Sequence, residues 1–239
     1  MLGSPNLVGH QPAKLVGFIP LRVQIPPPAM VGMKIVKLKD ILDKRKISEL
    51  SPTILIAKKL GLKYLVEEDG LITGPAIGLS ILIDKLTKIS PIRTMLDLCS
   101  GSGALCKIAK KNGVQKIVCV DKNVKAIKRN IGRVRGVEIV KADVLNYKIK
   151  EFFDLIVLDA PREVLAKLVN KFEYFISNSN IFAIWHGSLE EFEWNEEIRE
   201  KLRKVSKVLY SFSIYGEEIS ACSSTKNGMK WLKKLYKWW

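Results

Sequence analysis

Thr94-Met95-Leu96-Asp97-Leu98-Cys99-Ser100-Gly101-Ser102-Gly103-Ala104-Leu105 decides the fold of this chain. Met95, Leu96 and Leu98 read as an apolar strand, Ser100 to Gly103 as a small-residue turn, and Ala104 to Ala109 as the opening of a helix. The two glycines allow tight backbone angles and close approach of a ligand. The first free N–H groups of the helix point into the turn. A strand, glycine turn and helix in this order bind a nucleotide-like ligand at the carboxyl edge of a sheet.

The next strand strengthens the reading. Gln115-Lys116-Ile117-Val118-Cys119-Val120-Asp121 is apolar and ends in a carboxylate. In nucleotide-binding βαβ units an acid about 20 residues beyond the glycine turn accepts the ribose hydroxyls. Asp121 stands at that distance, so a Rossmann-like unit is predicted here. The plainer alternative is an ordinary αβ turn whose strand-end Asp caps the following helix.

The 239 residues, 47% hydrophobic, suit one sizeable α/β domain with a small addition. A formal net charge of +16 favours a polyanionic partner, nucleic acid first among them. A generally basic surface in a Lys-rich proteome is the other source of such a charge. Lys, Ile and Glu are abundant, as in heat-adapted proteins. Cys99, Cys106, Cys119 and Cys222 form no Cys-x-x-Cys pair, and only His10 and His186 accompany them, so no metal site is predicted. The cysteines read as reduced core residues of a cytoplasmic protein. No apolar run is long enough to span a bilayer.

Residues 1–32 differ from the rest. They are Gly- and Pro-rich and lack the basic and apolar regions of a signal peptide. They are expected to be either a disordered Pro-rich leader or a mis-assigned start. On the second hypothesis, Arg22-Val23-Gln24-Ile25-Pro26 translates the T-arm of an upstream tRNA gene, and the true start is Met30 or Met33. A gene sequence with no cloverleaf there would end that idea. Residues 33–73 are expected to form a small α/β subdomain, with a helix starting at Ser51-Pro52 and a hairpin around Asp69-Gly70. A buried helix after Gly74-Pro75 leads to the central strand.

The pattern then continues through strands at Val137–Val140, Phe153–Leu158 and Asn180–His186. Helices are predicted at Val124–Ile131, Val164–Phe172 and Phe192–Val205. Two strands, Val208–Ile214 and Glu218–Ser223, join at Tyr215-Gly216-Glu217 as an antiparallel pair. The predicted architecture is a seven-stranded, mostly parallel α/β sheet with one antiparallel strand and helices on both faces.

From Gly74 to Thr225 these residues resemble the class I, Rossmann-like S-adenosylmethionine-dependent methyltransferases. Asp97 to Leu105 looks like the family's first motif, and Val120-Asp121-Lys122 with Ala126-Ile127 and Asn130 like the second. Ala142-Asp143-Val144 resembles the third, and Phe153-Asp154 through Asp159-Ala160-Pro161 the fourth. The resemblance implies S-adenosyl-L-methionine as cofactor, held by Asp97, Cys99, Gly101, Gly103, Asp121, Lys122, Asp143 and Val144. In that scheme Asp97 takes the ammonium end of the cofactor, Asp121 the ribose hydroxyls and Asp143 the adenine amine, with Val144 or Val120 against the ring. The chemistry is a direct displacement that needs alignment and a dry site.

The first two motifs are most similar to those of the small bacterial-type rRNA guanine methyltransferases, which implies an RNA acceptor, rRNA or tRNA; the source is expected to be archaeal. Those enzymes carry Asn/Asp-Pro-Pro-Tyr/Phe in the fourth motif, and this chain has Asp159-Ala160-Pro161-Arg162. The stacking aromatic is absent. RNA cytosine-carbon methyltransferases place a catalytic Cys after a similar Asp-Ala-Pro, but the residue here is Arg162 and no covalent route is implied. Asp159, Pro161 and Arg162 are the candidate catalytic residues, with Arg162 able to stack on a base or grip a phosphate. A small-molecule or protein side-chain acceptor, and a non-catalytic RNA-binding protein that retains the fold, stay open as alternatives.

The tail, residues 226–239, is a basic aromatic helix on paper. Lys230, Lys233, Lys234 and Lys237 share one face, with Trp231, Leu232, Leu235, Trp238 and Trp239 on the other. It reads either as an RNA- or membrane-contacting helix or as a terminal helix docked by its aromatics.

Overall fold

The computed structural model describes residues 34–42, 52–68, 71–74 and 76–238. The leader expected at 1–32, Met33, Ser51, the Asp69-Gly70 turn, Pro75 and Trp239 lie outside the described residues.

The N-terminal piece holds β1 (Lys34–Lys37), α1 (Leu38–Leu42), α2 (Pro52–Lys59), β2 (Tyr64–Glu68) and β3 (Leu71–Thr73). Its three strands form an antiparallel sheet in the order β1-β2-β3. Leu38, Ile41, Ile54, Ala57, Leu62 and Leu65 make a small core of its own. Ala104, at the start of the helix after the glycine turn, joins that core and fastens the piece to the larger unit.

After α3 (Ile77–Ile89) the main sheet begins with β4 (Thr94–Leu98). It continues through α4 (Ala104–Lys111), β5 (Lys116–Asp121), α5 (Lys125–Ile131), β6 (Val137–Lys141) and β7 (Phe153–Leu158). Then come α6 (Arg162–Leu168), α7 (Phe172–Ser177), β8 (Ser179–Ser188), α8 (Phe192–Val205), β9 (Val208–Ile214), β10 (Glu217–Ser223) and α9 (Lys226–Trp238). The strand order is β6-β5-β4-β7-β8-β10-β9. β4, β5, β6, β7 and β8 pair in parallel. β10 runs antiparallel to both of its neighbours, β8 and β9. This is the seven-stranded sheet with one reversed strand that the pattern predicted.

The central strands are apolar on both faces because both are covered. On one face, residues of α3, α4, α5 and α9 pack into a single core with Met95, Ile117 and Leu155. On the other, residues of α6, α7 and α8 pack with Leu96, Val118 and Ile156. β4 is therefore central in both directions. The order also reverses there: β5 and β6 lie to one side of it, β7 and β8 to the other. A crevice opens at the carboxyl edge of an α/β sheet where the strand order switches.

One expectation is corrected. The helix predicted over Val164–Phe172 is two helices, α6 and α7, separated by a 3-10 turn at Val169–Lys171. The break reorients the chain so that Phe172 and Phe175 are buried against Phe182, with ring centroids 5.6 and 5.5 Å apart. The C-terminal helix α9 is docked on the larger unit by its apolar side, one of the two arrangements its sequence allowed. Trp231, Leu232 and Leu235 belong to the larger core, while Lys230, Lys233, Lys234 and Lys237 face solvent. Tyr236 stacks on Tyr210 at 4.8 Å. Gly228 allows this docking, because a Cβ there would stand 1.8 Å from the Asn180 carbonyl oxygen.

Candidate active site at the carboxyl edge of the sheet

The turn after β4 is tightly wound. Cys99 has φ 63°, Gly101 50° and Gly103 81°. A non-glycine residue at positive φ is uncommon, and such strain clusters at functional sites. Ser100 steadies the turn: its hydroxyl donates to the Asp97 carbonyl at 2.7 Å, and its amide to the Val120 carbonyl at 3.1 Å. The two glycines do different work. A Cβ on Gly101 would meet nothing closer than the Cys99 carbonyl oxygen at 3.9 Å, so that side of the turn is open to a ligand. A Cβ on Gly103 would meet Ile127 at 2.7 Å, so this glycine serves the packing of α4 on α5.

Asp97 is fully buried near the carboxyl end of β4, between Cys119 of β5 and Val157 of β7. Neither of its carboxylate oxygens has a hydrogen-bond partner among the described residues. Burial, reinforced by Cys106, Asp159 and Asp121, pushes its pKa well above the usual carboxylate range. A buried charge without a partner is costly, and Ser100 offsets only a small part of that cost.

Three further carboxylates stand at the same edge. Asp121, at the end of β5, is half-buried. One of its oxygens accepts from the Gly101 amide at 2.8 Å and the other from the Asn123 amide at 2.8 Å. Burial raises its pKa in spite of these bonds. Asp143, after β6, accepts from the Leu145 amide at 2.9 Å and pairs with Lys122 at 3.0 Å, and both contacts lower its pKa. Asp159, after β7, accepts from the Ala76 amide at 3.1 Å, and burial, with Glu217 adding, raises its carboxyl to about 7. The Cys99 thiol sits among all four. Burial raises its pKa first, and then Asp121, Asp159, Asp97 and Asp143 each add to the effect. The structure thus brings the carboxylates of four separate strand ends around one turn. Such a ring favours a cation.

The other sequence-derived candidates fall as follows. Lys122 is engaged with Asp143. Val144 is buried beside the site, whereas Val120 lies wholly inside the core. Pro161 immediately precedes α6. Arg162 lies just beyond it, with its guanidinium 5.0 Å from the Trp194 ring centroid and 2.9 Å from Glu191. It is thereby turned toward α8, held by a stacking face and a carboxylate.

Two contributors escaped the sequence reading. Glu217, read only as a turn residue, accepts from the Ile77 amide at 3.2 Å and the Gly78 amide at 2.7 Å, next to Asp159. The first three amides of the α3 end are therefore all taken by acids from the sheet edge. Asn130, known only as part of a motif, clamps the N-terminal sheet to the glycine turn. Its oxygen accepts from the Lys63 and Tyr64 amides, and its nitrogen donates to the Tyr64 and Ser102 carbonyls. Neither role has a local sequence signal, because every partner is at least 28 residues away.

Among the described residues, no group of His, Cys, Asp and Glu is placed to hold a metal ion, and no helix is long and apolar enough to cross a membrane.

The sheet order and the glycine turn are those of the Rossmann-like methyltransferase fold. A family profile described as the methyltransferase small domain matches residues 74–185. The protein is an enzyme carrying a methyltransferase domain, and S-adenosylmethionine is its cofactor. No curated protein sequence matches the chain.

Solved structures share the fold at low identity. A ribosomal protein L11 methylase from Lactobacillus delbrueckii subsp. bulgaricus aligns over 61% of this chain and 76% of its own, at 21% identity and a TM-score of 0.51. Spermidine synthase from Thermotoga maritima aligns over 71% and 68%, at 18% identity and a TM-score of 0.56. A candidate RNA methyltransferase from Pyrococcus horikoshii aligns over 74% and 98%, at 16% identity and a TM-score of 0.52.

Proposed function

We propose that this enzyme transfers a methyl group from S-adenosylmethionine to RNA. The observation that carries the cofactor half is Asp97, a fully buried carboxylate with both oxygens unpartnered, inside a ring of acids. That environment fits a ligand bearing both an ammonium and a sulfonium. In this reading Asp97 takes the ammonium end, while Asp121 and Asp143 take the ribose hydroxyls and the adenine amine. Cys99, Gly101 and Val144 line the contact, and Lys122 holds Asp143 in place. Gly103 acts indirectly, by letting α4 and α5 close behind the turn.

The cofactor supplies a methyl group on a positively charged sulfur, ready for direct displacement. The chain supplies position and charge. Asp159 orients the acceptor and receives a proton from it, a task suited to a carboxyl near pH 7. Pro161 fixes the backbone after it. Arg162 meets the acceptor's phosphate or base from the Trp194 side. The RNA half of the proposal rests on the net charge of +16.

A second reading, a small cationic amine as acceptor, draws on the adjacent acids Asp159 and Glu217. Tritiated methyl transfer into total RNA, protein and metabolite fractions separates the two. Label in RNA is expected. Label confined to metabolites would establish the second reading, and label confined to protein would overturn both.

A further inference from the structure

The two helical layers over the sheet carry opposite kinds of surface. The layer of α3, α4, α5 and α9 contains thirteen Lys and Arg residues and one acid, Asp84. The layer of α6, α7 and α8 contains six of each sign. Amphipathicity does not require this difference, since each layer needs only a polar outer side.

The pairing differs as well. In α8, Arg199 and Arg203 are both bound to Glu196, and Arg199 also to Glu218. In the basic layer, the ion pair made by helix residues among the described residues is Lys88 with Asp84. Lys111, Lys125 and Lys128 and the exposed lysines of α9 have no acidic partner within ion-pair distance among the described residues.

The basic surface extends past the helices. Arg133 and Arg135 are exposed on the loop after α5. The N-terminal piece adds Lys58, Lys59 and Lys63. It is joined here by Lys107, whose ammonium donates to the Gly61 carbonyl at 2.9 Å, and by Arg129, 5.0 Å from the Tyr64 ring centroid. Burial, with Lys63 adding, lowers the pKa of Lys107, as expected where cations crowd. Uncompensated like charge destabilises the folded state, so this layer is under strain that a polyanion would relieve.

We infer that the α3-α4-α5-α9 layer is the face on which the enzyme docks RNA. This rests on the RNA reading above and deepens it. Four helices at about 10 Å spacing make a face about 30 Å across. That breadth suits many phosphates of one extended chain rather than a single bound anion. The face also reaches the candidate site, because α4 and α5 start directly behind the Gly101–Gly103 turn and Asp121. RNA laid on it has its backbone against lysines and a nucleotide within reach of the carboxyl edge.

The test uses the full chain and matched charge reversals. Lys125→Glu with Lys128→Glu alters α5, and Lys233→Glu with Lys234→Glu alters α9. Lys148→Glu with Lys204→Glu makes the same charge change on exposed positions of the opposite side. Binding to total ribosomal RNA fragments is measured across a salt series, with thermal melts and S-adenosylmethionine binding as checks of folding. Each basic-layer pair should weaken RNA binding about tenfold or more and flatten its salt dependence, whereas the opposite pair should change it about twofold at most.

Equal loss from all three pairs would overturn the docking face in favour of overall charge. Wild-type affinity in both basic-layer pairs would overturn it while leaving the RNA reading intact. Wild-type protein that shows no salt-sensitive RNA binding would overturn the RNA reading itself. Wild-type protein that ignores RNA but binds phosphatidylserine vesicles would assign the face to a membrane surface and overturn the inference.

Discussion

The amide of Ala76 donates a 3.1 Å hydrogen bond to the carboxylate of Asp159, 83 residues away. The bond joins the first turn of α3 to the end of β7, where the fourth motif lies. One step along the same helix end, Ile77 and Gly78 donate to Glu217. Asp159 and Glu217 thus do for α3 what an N-cap side chain ordinarily does, since Ala76 makes no side-chain cap. The entry to the methyltransferase domain, its proposed catalytic base and its reversed strand are held at one point.

Asp159 has a pH consequence. Its folded pKa of about 7 lies above its unfolded value near 3.8. Between these values the native state holds a proton that the unfolded state has lost. Stability therefore falls as pH rises from about 4 to about 7, and levels off above. Methyl transfer, which needs the carboxylate, should rise with pH through about 7. Asp159→Asn should flatten both profiles and lower turnover at least tenfold, with cofactor affinity little changed. Normal turnover in Asp159→Asn would remove it from the mechanism.

Glu217→Ala should lower stability by about 2 kcal/mol, because two α3 amides lose a charged acceptor. Urea unfolding should show a lower midpoint with an unchanged slope. Glu217→Gln, which keeps one acceptor oxygen, should recover part of the loss. No difference between Ala and Gln would mean that these hydrogen bonds contribute nothing.

Asp97→Asn separates stability from binding. The substitution removes a buried ionisable carboxyl, whose charged form is disfavoured there, and keeps the shape. Without cofactor the variant should melt at the same temperature as the wild type or higher, and S-adenosylmethionine affinity should fall about tenfold or more. Sites kept for ligands show this trade of stability for function. A variant that is less stable yet binds the cofactor normally would make Asp97 a structural residue.

Gly228→Ala tests the docking of the C-terminal helix. The added methyl meets backbone, the Asn180 carbonyl, which cannot swing aside. Overpacking of this kind costs about 1–3 kcal/mol, read as a lower melting temperature with the fluorescence of Trp231 shifted toward that of a solvent-exposed indole. An unchanged melt would show that α9 accommodates the methyl without cost.

The sequence alone determined the sheet and its ligand edge. Apolar runs of strand length, broken by glycine turns and amphipathic helices, allow few arrangements. A reversed hairpin at the end leaves the mostly parallel sheet with one antiparallel strand. Of the acids at that edge, Asp121 was visible from its distance beyond the glycine turn, and Asp97, Asp143 and Asp159 from the family motifs that their surroundings resemble.

What tertiary structure decided is everything that depends on partners distant in the chain. It gave Gly101 an open side and Gly103 the Ile127 contact. It set Glu217 on the amides of α3 and Asn130 between two sheets. It drew Arg162 onto Trp194 and Glu191. It also gathered the basic helices onto one side. Linear sequence shows a net charge of +16 but not its division between faces, because a helix's side is chosen by the crossover that places it on the sheet.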